Sequence, residues 1–232
     1  MSLFSKILVA NRGEIAVRVI RTARDLGIKT VAIYSRVDTR ALHALMADEA
    51  YSLGSSEPSA TYLDIEKIIG IALKAGVEAV HPGYGFLSQN AFFVKRLEEE
   101  GIIFIGPPAN IQELVGDKLG ARRFFANAGI PVVPGTFEEV DEKDVAAVAE
   151  ELGYPVIVKP VGGGGGIGMR IVWNEEELLQ AVKTARELAG SAFRTSKVYI
   201  EKYFPGARHI EVQILGEKNG RVLHLYEREC SV

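Results

Sequence analysis

Apolar positions in the first hundred residues alternate between short β-branched runs and longer amphipathic stretches. The stretch 14–26 places its apolar residues on one helical face and stops at Gly27. Each crossover between parallel strands needs a connection long enough to hold a helix, so this alternation predicts a parallel sheet covered by helices. The predicted strands are Lys6–Ala10, Thr30–Tyr34, Val77–Val80 and Ile102–Ile105, and the predicted helices are Glu14–Leu26, Ile65–Ala75 and Ala91–Glu100.

The pattern changes beyond Pro107-Pro108, and a domain boundary is expected between Pro108 and Pro134. Asn174, three residues before Glu177, predicts a helix cap, and Asn219-Gly220 predicts a hairpin turn. The chain stops at Val232 directly after a predicted strand, which is the pattern expected of a truncation. The predicted elements are helices Ala109–Val115, Lys118–Ala128, Asp144–Leu152 and Glu175–Ala189, and strands Val156–Pro160, Met169–Trp173, Lys197–Lys202, His209–Leu215 and Val222–Glu229.

Composition and charge narrow the functional classes. A net charge of −3 from 27 Lys+Arg and 30 Asp+Glu gives no overall basic field for nucleic acid. No apolar run approaches the ~20 residues of a membrane-spanning helix, so no membrane association is expected. The single cysteine, Cys230, cannot form an internal disulfide, and it fits a reducing cytoplasm.

The most informative local feature is a glycine-rich segment, 162–168, between two predicted strands. Lys159 leaves the first strand just before it. Glycines let backbone N–H groups surround phosphate oxygens, and a lysine beside them adds positive charge, so the arrangement suits the phosphates of ATP. The segment also spells G-x-G-x-x-G, but a strand follows where a dinucleotide-binding fold needs a helix. A flexible linker is the alternative, although linkers usually mix glycine with serine.

Other polar residues carry weaker signals when taken alone. Lys118 at a helix start is typical of a surface lysine, Glu201-Lys202-Tyr203 of a charged strand end, and His209 of a structural histidine. His81 lies where a parallel strand ends, a place where α/β sheets bind ligands, but a tight Pro82-Gly83 turn explains it equally well. No H-E-x-x-H, C-x-x-C, EF-hand or G-x-S-x-G motif is present, which removes the protease, zinc and esterase classes.

Five segments in order resemble the biotin carboxylase family over essentially the whole chain. They are Ile7–Ala16, His81–Ser88, Gly116-Asp117-Lys118, the Lys159 glycine segment and Glu227–Val232. Members of this family are ATP-grasp ligases. The resemblance implies ATP-dependent activation of bicarbonate as carboxyphosphate and carboxylation of biotin on a carrier protein.

The resemblance implies an α/β fold in which a Rossmann-like parallel sheet domain is followed by an α+β ATP-grasp lid. The expected divisions are 1–115 for the N-terminal domain, 116–132 for a helical linker, 133–203 for the lid, and 204–232 for the truncated start of the C-terminal ATP-grasp domain.

The resemblance also assigns roles at the ATP site. Lys118 and Lys159 would contact the phosphates, the glycines would close over them, and Met169 would pack near the nucleotide. Glu201, Lys202 and the backbone through Tyr203 and Phe204 would read the adenine, and His209 would lie near the ribose. The glycines in question are Gly164, Gly165 and Gly166.

Two positions depart from the family pattern: Ile167, where a basic residue is common, and Gln89, where Glu is common. The family's ligands for Mg²⁺ or Mn²⁺ and its bicarbonate-binding and biotin-facing residues lie beyond the segment matching Val232. No catalytic or metal-binding residue is therefore assigned here, and the chain alone is expected to lack turnover.

The resemblance implies several partners: ATP, bicarbonate, a carboxyltransferase subunit and a biotin carboxyl carrier protein. Whether the chain forms a homodimer is left open. Two alternatives also remain, namely another ATP-grasp ligase such as a carbamoyl-phosphate synthetase domain, and a non-catalytic nucleotide-binding or assembly module.

Overall fold

The structure is a computed structural model, and it describes residues 4–162, 166, 168–193, 195–217 and 219–231. The chain forms two compact units, Met1–Asp117 and Lys118–Val232. Each unit has a hydrophobic core of its own.

The first unit is built on a five-stranded sheet in the order β3-β2-β1-β4-β5, and every pair in it is parallel. This arrangement confirms the predicted parallel sheet. The strands are β1 (Lys6–Val9), β2 (Lys29–Tyr34), β3 (Glu49–Ser52), β4 (Ala79–His81) and β5 (Ile103–Phe104), and the helices are α1 (Gly13–Asp25), α2 (Leu42–Met46), α3 (Ile65–Ala75), α4 (Ala91–Glu99) and α5 (Ala109–Gly116).

The central strands are buried because helices cover both faces of the sheet. Leu8 contributes to the larger core cluster, while its neighbour Val9 packs with Ile20 of α1. Helix α3 begins where the Asp64 side chain accepts a hydrogen bond from the Lys67 N–H, and it ends at Gly76 in the left-handed conformation. The sequence pattern predicted both of these helices.

Among the strands and α-helices given for this unit, α2 and β3 were not predicted from the sequence. Helix α2 spans only five residues. Strand β3 lies at the edge of the sheet, where Glu49 and Tyr51 are half-buried and Ala50 and Ser52 are exposed. A short, polar edge strand carries little hydrophobic pattern, so its residues give no local signal of a strand.

The second unit contains a three-stranded antiparallel sheet in the order β7-β6-β8. One face of that sheet packs on α7 and α8 through Val156, Val158, Val198 and Ile200. The elements are α6 (Lys118–Asn127), α7 (Val145–Leu152), β6 (Val156–Pro160), β7 (Arg170–Val172), α8 (Glu175–Phe193) and β8 (Val198–Lys202). They confirm the mixed α+β texture expected of this half. No helix in the described part of the chain is both long and apolar enough to cross a bilayer.

The last element is an antiparallel hairpin of β9 (Ile210–Gly216) and β10 (Val222–Glu229). This hairpin confirms the turn predicted at Asn219-Gly220. The register shifts between His224 and Glu227, where Tyr226 has a positive φ of 66°. Ile210, Val212 and Ile214 alternate with other residues along β9, and all three are about half exposed.

Candidate functional site

The pairing of β6 with β8 places Lys159 and Glu201 on the same face of their sheet. Ile157 pairs directly with Glu201, and Lys159 lies two residues further along β6. Since side chains alternate across a strand, Lys159 and Glu201 point away from the face that forms the hydrophobic core. The register therefore brings a lysine and a glutamate together where the glycine-rich segment begins.

Glu201 is the centre of a charged cluster. Its side chain is 7% exposed, and it forms ion pairs with both Lys159 and Arg122. Each cation bonds a different carboxylate oxygen, with Arg122 on Oε1 and Lys159 on Oε2. A carboxylate buried to this degree is stabilised only when it is paired, and here it has two partners.

Lys118 approaches the same cluster from the first residue of α6. Its Nζ donates hydrogen bonds to the carbonyl oxygens of Pro160, at 3.1 Å, and Gly162, at 3.5 Å. Burial and the nearby positive charge of Lys159 lower the pKa of Lys118, and the charge of Glu201 opposes that shift. The ammonium group is therefore held close to another cation with only partial compensation.

The glycine-rich segment continues from β6 toward β7. Gly164 and Gly165 lie outside the described residues, so their expected closure over phosphates stays a prediction. Gly168 has a φ of +79°, and a Cβ at that position would lie 2.9 Å from Pro160 Cγ. Glycine is therefore required at 168 both by the backbone conformation and by the close approach of Pro160.

Gly166 and Met169 meet at the end of this segment. The Met169 N–H donates to the Gly166 carbonyl over 3.3 Å, and the Met169 side chain is 37% exposed. This exposure leaves Met169 accessible for the packing role that the resemblance implies.

The candidate adenine and ribose residues that follow Glu201 differ in their contacts and exposure. The Lys202 Nζ donates to the carbonyls of Gly153 and Tyr154, at 2.8 and 3.0 Å, so its side chain serves the end of α7 and does not join the charged cluster. The Tyr203 ring packs edge-to-face on Trp173, with 6.1 Å between centroids. Phe204 is about half exposed, and His209 is exposed. Their expected roles toward adenine and ribose stay predictions.

The segment beginning at His81 is organised by hydrogen bonds within the first unit. The Gly83 N–H donates to His81 Nδ1 over 3.0 Å, and Asn11 Nδ2 donates to the carbonyls of Pro82 and Tyr84 over 2.7 Å each. A Cβ on Gly83 would lie 2.7 Å from Asn11 Nδ2. These contacts account for the Pro-Gly turn without a ligand. Burial, with a smaller contribution from Arg18, lowers the pKa of His81.

Arg122 is the member of the cluster that sequence reasoning missed. It lies four residues after Lys118 on α6, so the two side chains share one face of the helix. That spacing was the signal available in the sequence. Among the described residues, no group of three or more His, Cys, Asp or Glu side chains is placed to hold a metal ion.

The site thus places three cationic side chains near one carboxylate, two of them ion-paired with it, beside a segment rich in glycine. Partly desolvated cations with spare hydrogen-bond donors are suited to binding an anion such as a phosphate chain. This chemistry agrees with the ATP-phosphate interpretation of the glycine-rich segment.

Comparison with known families covers both units. Residues 3–111 match the biotin carboxylase N-terminal domain, and residues 117–232 match the ATP-binding domain of the carbamoyl-phosphate synthase L chain. These matches and the α/β fold define the class as the ATP-grasp ligases.

Individual relatives agree with these matches. The chain is 49% identical to the small subunit of the 2-oxoglutarate carboxylase of Hydrogenobacter thermophilus over 99% of its own length and 49% of that protein. It is 45% identical to the biotin carboxylase of Pseudomonas aeruginosa over 99% of its length and 52% of that enzyme.

A solved structure agrees as well. The biotin carboxylase domain dimer of the Hydrogenobacter thermophilus 2-oxoglutarate carboxylase, in complex with MgADP, ADP and bicarbonate, superimposes with a TM-score of 0.95 at 48% identity. That match covers 100% of this chain and 51% of the other. The chain belongs to the biotin carboxylase family, and it spans about half the length of the curated relatives it matches.

Proposed function

We propose that this chain supplies the phosphate-binding lysines of an ATP-dependent biotin carboxylase. The observation that carries the proposal is the convergence of Lys118 and Lys159 at the start of the glycine-rich segment, around the carboxylate of Glu201. Two ammonium groups held this way present charge-assisted donors to a phosphate chain. The MgADP and bicarbonate in the Hydrogenobacter complex support the same assignment.

In this proposal the lysines bind and orient the phosphates, while Gly164, Gly165 and Gly166 enclose them and Met169 packs on the nucleotide. Glu201, Lys202, Tyr203 and Phe204 contact the adenine, and His209 lies near the ribose. Bound ATP supplies the phosphoryl group that activates bicarbonate, and Mg²⁺ or Mn²⁺ accompanies it. The chain's own contribution is to fix the nucleotide and to limit the access of water.

The wider assignment follows from the family. The carboxyl acceptor is biotin on a carrier protein, and a carboxyltransferase subunit uses the carboxylated product. The dimer of the Hydrogenobacter domain supports a homodimer, which sizing chromatography with light scattering tests. A cytoplasmic location fits the single cysteine. The domain divisions 1–115, 116–132, 133–203 and 204–232 are proposed on the same basis.

Calorimetric titration with ATP and Mg²⁺ tests the proposal directly. We expect Lys159→Ala to weaken ATP binding about 10- to 150-fold, because it removes a charge-assisted hydrogen bond of about 1.5–3 kcal/mol. Lys183→Ala, at an exposed position of α8, is the matched control and should bind as the unchanged chain does. Equal ATP affinity in the Lys159 and Lys183 variants would remove Lys159 from the site.

The carbamoyl-phosphate synthase match over residues 117–232 gives the alternative ligase a specific basis. Product analysis with ATP, bicarbonate, ammonium and free biotin, on the longest chain that contains this sequence, separates the two. Carboxybiotin supports the proposal, whereas carbamate without carboxybiotin contradicts it.

A further inference from the structure

Arg122 joins three parts of the second unit. Its side chain is 11% exposed, and its guanidinium bonds Glu201 through Nη1. Nη2 donates to the Val133 carbonyl at 2.7 Å, and Nε donates to the Thr136 carbonyl at 3.3 Å. The planar fork of arginine can hold these acceptors together, which the single ammonium of a lysine cannot.

The carbonyls that Arg122 holds belong to residues 133–137, a segment that runs along the free edge of β8. The Thr136 N–H donates to Ile200 over 2.9 Å, and the Lys202 N–H donates to Pro134 over 2.8 Å. The guanidinium also lies 5.4 Å from the centre of the Phe137 ring. Arg122 therefore fastens this segment to the strand that carries Glu201.

The two ion pairs of Glu201 compete for one negative charge. Arg122 uses Oε1 while Lys159 uses Oε2, so the attraction that Lys159 feels is shared with a second cation. Without Arg122, Lys159 would be the only cation paired with Glu201 among the described side chains. A lysine held more tightly by a carboxylate is less available to an incoming anion.

We infer that Arg122 is a positioning residue for the nucleotide site, because it draws the charge of Glu201 away from Lys159 and so leaves that ammonium available to phosphate. It acts through Glu201 and residues 133–137, and no direct contact with ATP is needed. The inference rests on the proposed function, since it assigns Lys159 to the phosphates.

The decisive experiment compares inorganic triphosphate with ATP as calorimetric probes. Triphosphate has no adenine, so it reports on the lysines without the expected role of Glu201 toward the base. We expect Arg122→Met to weaken binding of both probes about tenfold. The affinities of Arg122→Lys should lie between those of Arg122→Met and of the unchanged chain. Arg221→Met, an exposed position at the turn of the hairpin, removes the same charge and should change neither affinity.

A second substitution separates charge sharing from packing. Adding Glu201→Gln to Arg122→Met removes the competing charge, so triphosphate affinity should return to within about threefold of the unchanged chain. If Arg122 served only packing, the double variant would bind triphosphate no better than Arg122→Met. That result would overturn the inference, as would an unchanged affinity in Arg122→Met, while ATP binding by the unchanged chain would still support the proposed function.

Hydrogen exchange gives a measurement that needs no nucleotide. The amides of Thr136 and Lys202 should exchange at least about tenfold faster in Arg122→Met, relative to amides within α8. Unchanged exchange would overturn the positioning role whatever the binding results. If neither probe bound to this chain or to the longest chain that contains it, the proposed function and the phosphate part of this inference would both fail, and exchange would still decide whether Arg122 holds residues 133–137.

Discussion

Gly135 shows how closely residues 133–137 approach β8. A Cβ at this position would lie 2.5 Å from the Ile200 carbonyl oxygen and 2.9 Å from the Cα of Glu201. Both of these neighbours are backbone atoms, which cannot rotate away as the end of a side chain can. The requirement for glycine at 135 is therefore one of space.

We expect Gly135→Ala to lower the free energy of unfolding by about 1–3 kcal/mol, the range for forcing extra atoms into a packed site. Gly190→Ala is the matched control, because position 190 lies in α8 with nothing within 4 Å of the added methyl. That control should be neutral or raise stability by up to about 1 kcal/mol. Urea unfolding of the three chains measures both values, and equal stability for the two variants would contradict the steric argument.

Ionisation of Tyr62 makes the free energy of unfolding depend on pH in the alkaline range. Burial, followed by the hydrogen bond from its hydroxyl to Asp38 at 2.8 Å, raises the pKa of Tyr62 to about 12, against an ordinary value of 10.0. A raised pKa means that the folded state favours the neutral phenol. The associated stability is complete below pH 10 and is lost as the pH rises from there through 12.

Tyr62→Phe should therefore reduce the loss of stability between pH 10 and 12, although it removes a buried hydrogen bond and lowers stability at neutral pH. Unfolding free energies measured across this range give the comparison. Tyr226→Phe, at an exposed ring of the hairpin, is the matched control. A pH slope as steep in Tyr62→Phe as in the unchanged chain would show that Tyr62 does not cause it.

At the residue scale, the sequence predicts those candidate site residues that belong to a motif. Lys159 was predicted from the glycine-rich segment beside it and Lys118 from the family resemblance. Arg122 and Gly135 instead depend on how distant segments meet. Arg122 contacts Glu201 across 79 residues of sequence, and Gly135 pairs with the same glutamate. Such contacts are set by tertiary packing, which a local pattern does not contain.

At the scale of elements, helix α8 begins with the cap expected from the sequence. The Asn174 Oδ1 accepts a hydrogen bond from the Glu177 N–H over 3.1 Å. The Glu177 carboxylate in turn accepts one from the Trp173 N–H over 3.1 Å. These bonds satisfy N–H groups that a helix start would otherwise leave without partners.

We expect Asn174→Ala to cost about 1 kcal/mol of unfolding free energy, because it removes the cap acceptor. Asn174→Asp keeps an oxygen at the same place and should retain most of that stability. Thermal and urea unfolding of the two variants give the comparison. Equal losses would mean that the side-chain oxygen is not what stabilises this end of α8.

The elements also show which patterns can be read from sequence. Helices α1 and α3 and strands β6 and β8 bury apolar side chains at regular spacing, and each was predicted close to its observed limits. Strand β3 was missed because only one of its faces is partly buried and its residues are mostly polar or small. Its position is fixed by pairing with β2, a long-range property.

At the scale of the whole molecule, the chain divides its apolar residues between separate cores. Leu178 is fully buried in the core of the second unit, whereas the next residue, Leu179, is 58% exposed on the same helix. The two neighbours differ in burial and not in chemistry. They therefore offer a matched pair for testing that core.

Leu178→Ala should destabilise the second unit by about 2–5 kcal/mol, the cost of removing a buried leucine side chain and leaving a cavity. Leu179→Ala should change stability by less than about 0.5 kcal/mol. Hydrogen exchange of amides in β6 and β8 reports on this unit directly, and it should accelerate only in Leu178→Ala. Similar exchange in both variants would mean that α8 does not form this core as described.

The edge-to-face pair of Trp173 and Tyr203 has a practical consequence. Trp173 is the single tryptophan of the chain, its ring is 55% exposed, and Tyr203 follows the Glu201-Lys202 strand end. Excitation at the long-wavelength end of the protein absorption band would therefore excite the Trp173 indole alone, which lies beside residues proposed to contact the adenine. The unlabelled chain therefore contains an intrinsic fluorescent probe. A change in Trp173 emission on adding ATP would report binding near this strand end in real time.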